Sequence, residues 1–131
     1  MPREIIHTDD APAAVGTYSQ AVKISTDAGS TVYISGQIGL DPKTMTLREG
    51  FDAQAAQVMD NIEAICKAAG GSLNDTVKFN VSLTDLGDFA ALNELFANRL
   101  SEPYPARAAL QVSALPKGAV VEIETILFIE N

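Results

Sequence analysis

Hydrophobic side chains recur at helical spacing in two segments of the chain, residues 51–69 and residues 88–100. Positions three and four apart share one face of a helix, so this spacing predicts two helices that each bury one stripe. Gly70-Gly71 is a typical helix stop, and Asp88 is the predicted N-cap of the second helix. The first stripe comprises Ala55, Val58, Met59, Ile62, Ile65, Cys66 and Ala69, and the second Phe89, Leu92, Leu95, Phe96 and Leu100.

Apolar and polar residues alternate over residues 76–84, which predicts a half-buried strand. Its predicted inward side chains are those of Val77, Phe79, Val81 and Leu83. The pattern predicts turns at residues 27–30 and 41–44. Further strands are predicted over residues 4–7, 21–25, 31–35, 107–112 and 120–129. The resulting order, βββαβαββ, predicts an α+β fold in which two helices cover one face of a single sheet.

The last two predicted strands leave a second sheet face to account for. If Ala108, Leu110 and Val112 face the helices, together with Val121, Ile123, Thr125 and Leu127, the residues between them face away. Those residues are Arg107, Ala109, Glu122, Glu124, Ile126 and Phe128. Ile126 and Phe128 suit open solvent poorly and no third helix is predicted to cover them, so we expect an oligomer.

Composition narrows the class of protein. A length of 131 residues predicts a single domain over residues 1–131. The formal net charge of −8 argues against nucleic-acid binding and means that local positive charge must hold any anionic substrate. With one cysteine, no disulfide can form within the chain. We find neither a signal-peptide pattern nor a membrane-length apolar run, and expect a cytoplasmic protein without a membrane partner.

Candidate chemistry is concentrated in residues 105–124, which read as two strands joined by a Pro-Lys-Gly turn. The guanidinium of Arg107 is a planar fork that matches a carboxylate. Glu122 on the paired strand is a possible proton acceptor, and the two together could hold an anionic substrate and direct water at it. Alternatives stay open: Arg107 could form a structural ion pair, and Glu124 points the same way as Glu122.

Other kinds of site find no support in the sequence. His7 is the only histidine, and Cys66 lies on a buried helical stripe, so we expect neither a metal site nor a Ser-His-Asp triad. No phosphate-binding glycine loop is present, and we expect no cofactor.

Four segments resemble motifs of one family, the YjgF/RidA family of reactive-intermediate imine deaminases. They are residues 11–20, residues 35–38 (Ser-Gly-Gln-Ile), residues 88–93 and residues 105–124, and they follow the family's order across nearly the whole chain. The resemblance implies a chorismate-mutase-like fold with a six-stranded mixed sheet. It also implies a homotrimer with sites in the clefts between subunits.

The resemblance further implies roles for individual residues. Arg107 would grip the substrate carboxylate, and Glu122 would orient and activate the attacking water. Tyr18 and Gly36 would line the pocket, with Asn93 as a further substrate-binding candidate. On the residues alone, Tyr18 would be a packed tyrosine and Asn93 a helix-surface amide.

One position departs from the family pattern. Ala109 stands where many members have a cysteine, which rules out thiol chemistry there and leaves its backbone as a candidate contact for water or substrate. The loop over residues 98–104 is also short compared with many members.

The function implied by the resemblance is hydrolysis of 2-imino and enamine acids to 2-oxo acids and ammonia. Substrates would include 2-aminoacrylate with its tautomer 2-iminopropanoate, and 2-iminobutanoate. One alternative is a binding protein that senses 2-oxo acids without turnover, in which Glu122 would matter little. An endoribonuclease, an activity attributed to some relatives, is the weakest reading because of the negative charge and the single histidine.

Overall fold

The computed structural model describes residues 3–131 and has the predicted order of elements. The helices are α1 (Phe51–Ala68) and α2 (Phe89–Arg99). The strands are β1 (Arg3–Ile6), β2 (Ala21–Ser25), β3 (Gly29–Gln37), β4 (Thr76–Leu83), β5 (Ala106–Gln111) and β6 (Val121–Glu130).

All six strands form one sheet in the order β1-β2-β3-β6-β4-β5. Four neighbouring pairs are antiparallel, and β4 and β5 are parallel. A parallel pair requires a crossover, which α2 supplies between these two strands. The predicted α+β fold with a six-stranded mixed sheet is therefore confirmed.

The core lies between the two helices and one face of the sheet. The whole predicted stripe of α1 is buried, against β3 and β6. In α2 the buried stripe residues are Leu92 and Phe96, with Leu100 just after the helix, while Phe89 stays partly exposed. Fully burying a large apolar side chain contributes about 1.5–3 kcal/mol, so this one-sided core is the main source of stability.

The end of α1 is at the predicted glycines, whereas the start of α2 is not capped as predicted. Gly70, at a φ of 92°, ends α1, and the N–H groups of Gly70 and Gly71 donate to the carbonyls of Lys67 and Cys66. Asp88 stands at the N-cap of α2, but its side chain caps nothing. A 3₁₀ turn precedes the helix, and Asp85 caps that turn by accepting from the N–H of Gly87 at 2.8 Å.

The inward position predicted for Val77 is wrong. The register between β4 and β6 shifts between Thr76 and Lys78, which places Val77 in a bulge where it is 49% exposed. An extra residue in one strand reverses the alternation on one side of it, and the sequence pattern carries no sign of the insertion.

The predicted pairing of the last two strands is also wrong. β4 lies between β5 and β6, and the intervening segment crosses the end of β4. Two backbone hydrogen bonds fix that crossing. The N–H of Val112 donates to the carbonyl of Leu83 at 2.8 Å, and the N–H of Thr84 donates to the carbonyl of Val120 at 3.2 Å.

This topology changes the face on which Arg107 lies. In the parallel register, Arg107 is beside Phe79 and Ala109 is beside Val81, and both partners point into the core. Arg107 and Ala109 therefore lie on the helix face, contrary to the prediction.

The β6 residues follow the prediction. Val121, Ile123, Thr125 and Leu127 are buried under the helices, and the residues between them lie on the second face. Arg107 and Glu122 consequently occupy opposite faces of the sheet within one chain.

Cys66 is a core residue, as predicted. Burial, followed by the charges of Asp75 and Glu63, raises the pKa of its thiol to about 12, so it is not a reactive thiol. Within residues 3–131, neither helix combines the length and hydropathy needed to span a membrane.

Candidate active site

The predicted site residues fall into two groups that line two different cavities. Asn93 and Arg107 line a cavity of about 440 Å³ between β5 and α2, here called the arginine cavity. Tyr18, Gly36 and Glu122 line a cavity of about 110 Å³ beside β3 and β6, here called the glutamate cavity. The structure brings the members of each group together and keeps the two groups apart.

Arg107 is held by the residues of α2. Its Nη1 donates to Oδ1 of Asn93 at 2.7 Å, and its guanidinium carbon lies 5.0 Å from the ring centre of Phe89 and 5.5 Å from that of Phe96. Asn93, Phe89 and Phe96 project from one helix at a spacing of three and four residues, so they form one surface. Each exposed cation–π contact contributes about 0.5–1 kcal/mol and limits where the guanidinium can move.

In the part of the chain that the structure describes, no carboxylate pairs with the charge of Arg107. Within residues 3–131 the arginine and lysine ion pairs involve Arg48, Lys67 and Arg99. Arg107 instead has a neutral amide and two aromatic rings, which leaves guanidinium N–H groups for an incoming carboxylate. A structural ion pair, the alternative left open by the sequence, is not formed by Arg107 among residues 3–131.

The carboxylate of Glu122 lies against the backbone of Gly36. The register between β3 and β6 shifts between Ile34 and Gln37, so this stretch of β3 contains a bulge. A Cβ at Gly36 would lie 2.9 Å from Cδ of Glu122. Glycine at this position therefore lets the carboxylate approach the strand closely.

The environment of Glu122 disfavours its charged form. Desolvation by burial, and then repulsion from Glu124, raise the pKa of Glu122 above its usual range. A carboxyl shifted toward neutral pH suits a group that must take up and return a proton. Glu124, the alternative candidate, is exposed, which makes Glu122 the better placed of the two.

Gln20, which was not among the predicted site residues, fixes one wall of the glutamate cavity. Its buried amide accepts from the N–H of Thr8 at 2.7 Å and donates to the carbonyl of Pro12 at 2.8 Å. Ser35 adds a bond of 2.6 Å to the carbonyl of Ser19. The sequence motif contains Gln20, but only the fold shows that its side chain is buried and folded back on the preceding segment.

Met45 and Lys117 also line the glutamate cavity without having been predicted. Each has a φ of 58°, and they are the only non-glycine residues within 3–131 with a left-handed backbone. Such a conformation costs about 1–3 kcal/mol. The predicted Pro-Lys-Gly turn contains Lys117, but nothing in the sequence indicates that either residue lines a cavity.

Ala109 lines neither cavity. Its half-buried methyl group packs against the core beside Val81, and the predicted contact of its backbone with water or substrate stays a prediction. No group of three or more potential metal ligands is assembled among residues 3–131.

Comparison with known proteins places these features in a family. A family model described as endoribonuclease L-PSP matches residues 8–129. A 2-iminobutanoate/2-iminopropanoate deaminase of Mus musculus is 47% identical over 125 residues, which cover 95% of this chain and 90% of the relative.

Solved structures agree in fold. RidA from an Antarctic Psychrobacter species is 74% identical with a TM-score of 0.92, covering 96% of this chain and 99% of that one. E. coli TdcF with bound serine is 38% identical with a TM-score of 0.84, covering 95% of this chain and 98% of that one.

Replacing Glu124 with glutamine is expected to lower the pKa of Glu122 toward its ordinary value of 4.5, because one source of the shift is removed while desolvation remains. A carboxyl-carbon NMR titration measures this directly. Glu130→Gln, also on β6 but at its far end, is the matched control and should leave the titration of Glu122 unchanged. An unaltered pKa in Glu124→Gln would contradict the proposed coupling.

The raised pKa of Glu122 also determines whether stability rises or falls with pH. Because the folded state favours the protonated carboxyl, wild-type protein should lose free energy of unfolding as the pH rises above 4.5 and through the raised pKa. Glu122→Gln should be free of that loss. Urea unfolding at pH 4 and pH 7 compares the two proteins.

Proposed function

Because the chain belongs to the YjgF/RidA/RutC family, we propose that it hydrolyses reactive 2-imino and enamine acids to 2-oxo acids and ammonia. Its substrates are 2-aminoacrylate with its tautomer 2-iminopropanoate, and 2-iminobutanoate. The observation that carries the proposal is the guanidinium of Arg107, which is held in place by α2 and pairs with no carboxylate within residues 3–131. Support also comes from the deaminase relative in Mus musculus.

The proposed site requires two copies of the chain. Arg107 and Glu122 lie on opposite faces of one sheet, so a small imino acid cannot touch both side chains of a single copy. We assign the arginine cavity of one copy and the glutamate cavity of its neighbour to one cleft in a homotrimer.

Exposed apolar side chains on the second sheet face support this assembly. Ile5, Ile24, Tyr33 and Phe128 lie there, with Leu110 on the edge strand, and within residues 3–131 no helix covers them. Exposed apolar surface of this kind is typical of an interface between subunits.

The chemistry needs little from the protein because the imine carbon is already electrophilic. Arg107 binds the substrate carboxylate and fixes the position of that carbon. Glu122 orients a water, takes a proton as the oxygen bonds to the carbon, and returns a proton to nitrogen. This gives a carbinolamine, whose hydroxyl proton then passes by way of Glu122 to the nitrogen. The carbon–nitrogen bond breaks as the carbonyl forms, which releases ammonia and the 2-oxo acid.

Two rival functions compete with this proposal. A sensor would bind 2-oxo acids through Arg107 without turnover; the related TdcF was solved with serine bound, so binding of small carboxylates alone is a specific alternative. The description of the family model names an endoribonuclease. A net charge of −8 opposes binding of an RNA backbone, so we do not favour it.

Arg107→Ala is expected to abolish imine hydrolysis, because it removes the charged contact to the substrate carboxylate, a loss of about 3 kcal/mol or more of transition-state stabilisation. A dehydratase generates the imine in situ, and release of the 2-oxo acid is followed. Arg107→Lys should also be poor, since an ammonium cannot reproduce the planar fork. Near wild-type rates in a folded Arg107→Ala protein would refute the assignment.

Glu122→Gln separates the enzyme from the sensor. The amide keeps the size of the side chain but cannot accept a proton, so turnover should fall about 100-fold or more. Calorimetry with 2-oxobutanoate should show a much smaller change in Kd, because Arg107 still binds the carboxylate. Unchanged turnover would shift the role to Glu124, and a wild-type protein that binds the oxo acid without accelerating imine loss would favour the sensor.

Mixed oligomers test whether two copies share one site. Arg107→Ala and Glu122→Gln are each expected to be inactive alone, and random reassembly of equal amounts should restore about a quarter of wild-type activity, because about one cleft in four pairs an intact arginine with an intact glutamate.

Light scattering on the same samples reports the assembly. No recovery of activity in mixed trimers would show that one chain supplies both residues, and a stable monomer at micromolar concentration would contradict the shared cleft altogether. Each variant refolded alone controls for the reassembly procedure.

A further inference from the structure

The two strained residues of the described chain meet in one place. Met45 and Lys117 both have a φ of 58°, where glycine is the least strained residue, and both line the glutamate cavity. Strained backbone of this kind gathers at ligand sites. We propose that Met45 forms a wall of a subsite for the substrate's own side chain and sets the longest side chain that is accepted. The inference rests on the proposed function and deepens it.

Several contacts stabilise the left-handed backbone of Met45 and the turn around it. The N–H of Met45 donates to the carbonyl of Asp41 at 2.8 Å, and the side chain of Asp41 accepts from the N–H of Lys43 at 2.8 Å and from Arg48 at 3.0 Å. Leu40 and Leu47 close the turn with a β-bridge. The turn is thus fixed by backbone hydrogen bonds and by the side chains of Asp41 and Arg48, and the methionine side chain is not needed to make it.

The cavity is lined mainly by apolar groups. Val15, Ile38, Leu40 and Met45 provide side chains, while Glu122 supplies the carboxylate assigned to the water. In the proposed pose the substrate carboxylate is bound to Arg107 of the neighbouring copy. The substituent on the third carbon of the substrate is then the part left for the apolar wall.

The size of the cavity limits that substituent. At about 110 Å³ this cavity is small beside the arginine cavity of about 440 Å³, and the attacking water occupies part of it. Short, unbranched apolar side chains therefore fit, and longer ones meet the wall. Methionine is flexible and half-buried here, so its truncation enlarges the cavity without opening the core.

The test is a series of imines of increasing length. An amino-acid oxidase makes them in situ from alanine, 2-aminobutanoate, norvaline and norleucine, and kcat/KM is measured for each. For wild-type protein, kcat/KM should fall about tenfold or more for each methylene beyond the longest side chain that the cavity holds. Met45→Ala should raise kcat/KM for the norleucine imine about tenfold relative to that for the alanine imine.

Three further variants keep the test specific. Met45→Gly removes the side chain and the strain together and should shift the profile as Met45→Ala does. Met45→Leu keeps an apolar side chain of similar size and should keep the wild-type profile. Thr46→Ala alters an exposed neighbour in the same turn, outside the cavity, and should also keep it.

The outcomes separate this inference from the proposed function. If Met45→Ala and Met45→Gly retain the wild-type length profile, or if Thr46→Ala shifts it equally, the subsite is overturned while imine hydrolysis stands. If wild-type protein hydrolyses no imine, the function fails, and calorimetry with 2-oxo acids of the same four lengths decides the subsite. If Met45→Ala changes how Kd depends on the length of the 2-oxo acid, the subsite is supported. If the dependence is the same as in wild-type protein, the subsite is overturned.

Discussion

The burial of both helices on one face of the sheet is the constraint on which the rest of the molecule depends. In β6, Ile123 and Leu127 must face α1, so the two-residue period of a strand places Glu122 on the other face. A slip of one residue would put that carboxylate into the core, where its charge would be severely disfavoured. The position of Glu122 is thus secured by hydrophobic packing on the side away from it.

The parallel pairing of β4 with β5 has the opposite consequence for Arg107. The crossover through α2 places β5 at the sheet edge, and the register with Phe79 turns Arg107 toward the helix it has just left. Asn93 on that helix then receives the guanidinium. The single chain separates its cation and its carboxylate by the thickness of the sheet, which is why the proposed chemistry calls for a second copy.

The parts of the fold that were predictable are those set by local periodicity. The stripe of α1 and the alternation of β6 are strong patterns because each buries one continuous face. The face of β5 was not predictable, because Ala106-Arg107-Ala108-Ala109 has no apolar–polar alternation and its register is fixed by β4, far away in the sequence. The prediction for Val77 was wrong for the same reason, because the bulge is set by the register with the partner strand β6. Arg107 and Glu122 were candidates from the residues themselves, whereas Tyr18, Gly36 and Asn93 came from the resemblance. The division of these residues between two cavities came only from the topology.

The glutamate cavity departs from the local rules that hold elsewhere in the chain. It combines a half-buried carboxyl whose pKa is raised, a bulged strand at Gly36, and left-handed backbone at Met45 and Lys117. Each feature disfavours the folded state to some degree, and the one-sided core is what offsets them. Sequences generally agree with their fold at every level except where a site requires otherwise. The clustering of these exceptions around Glu122, rather than along the well-packed helices, is therefore an argument for function there that is independent of the family resemblance.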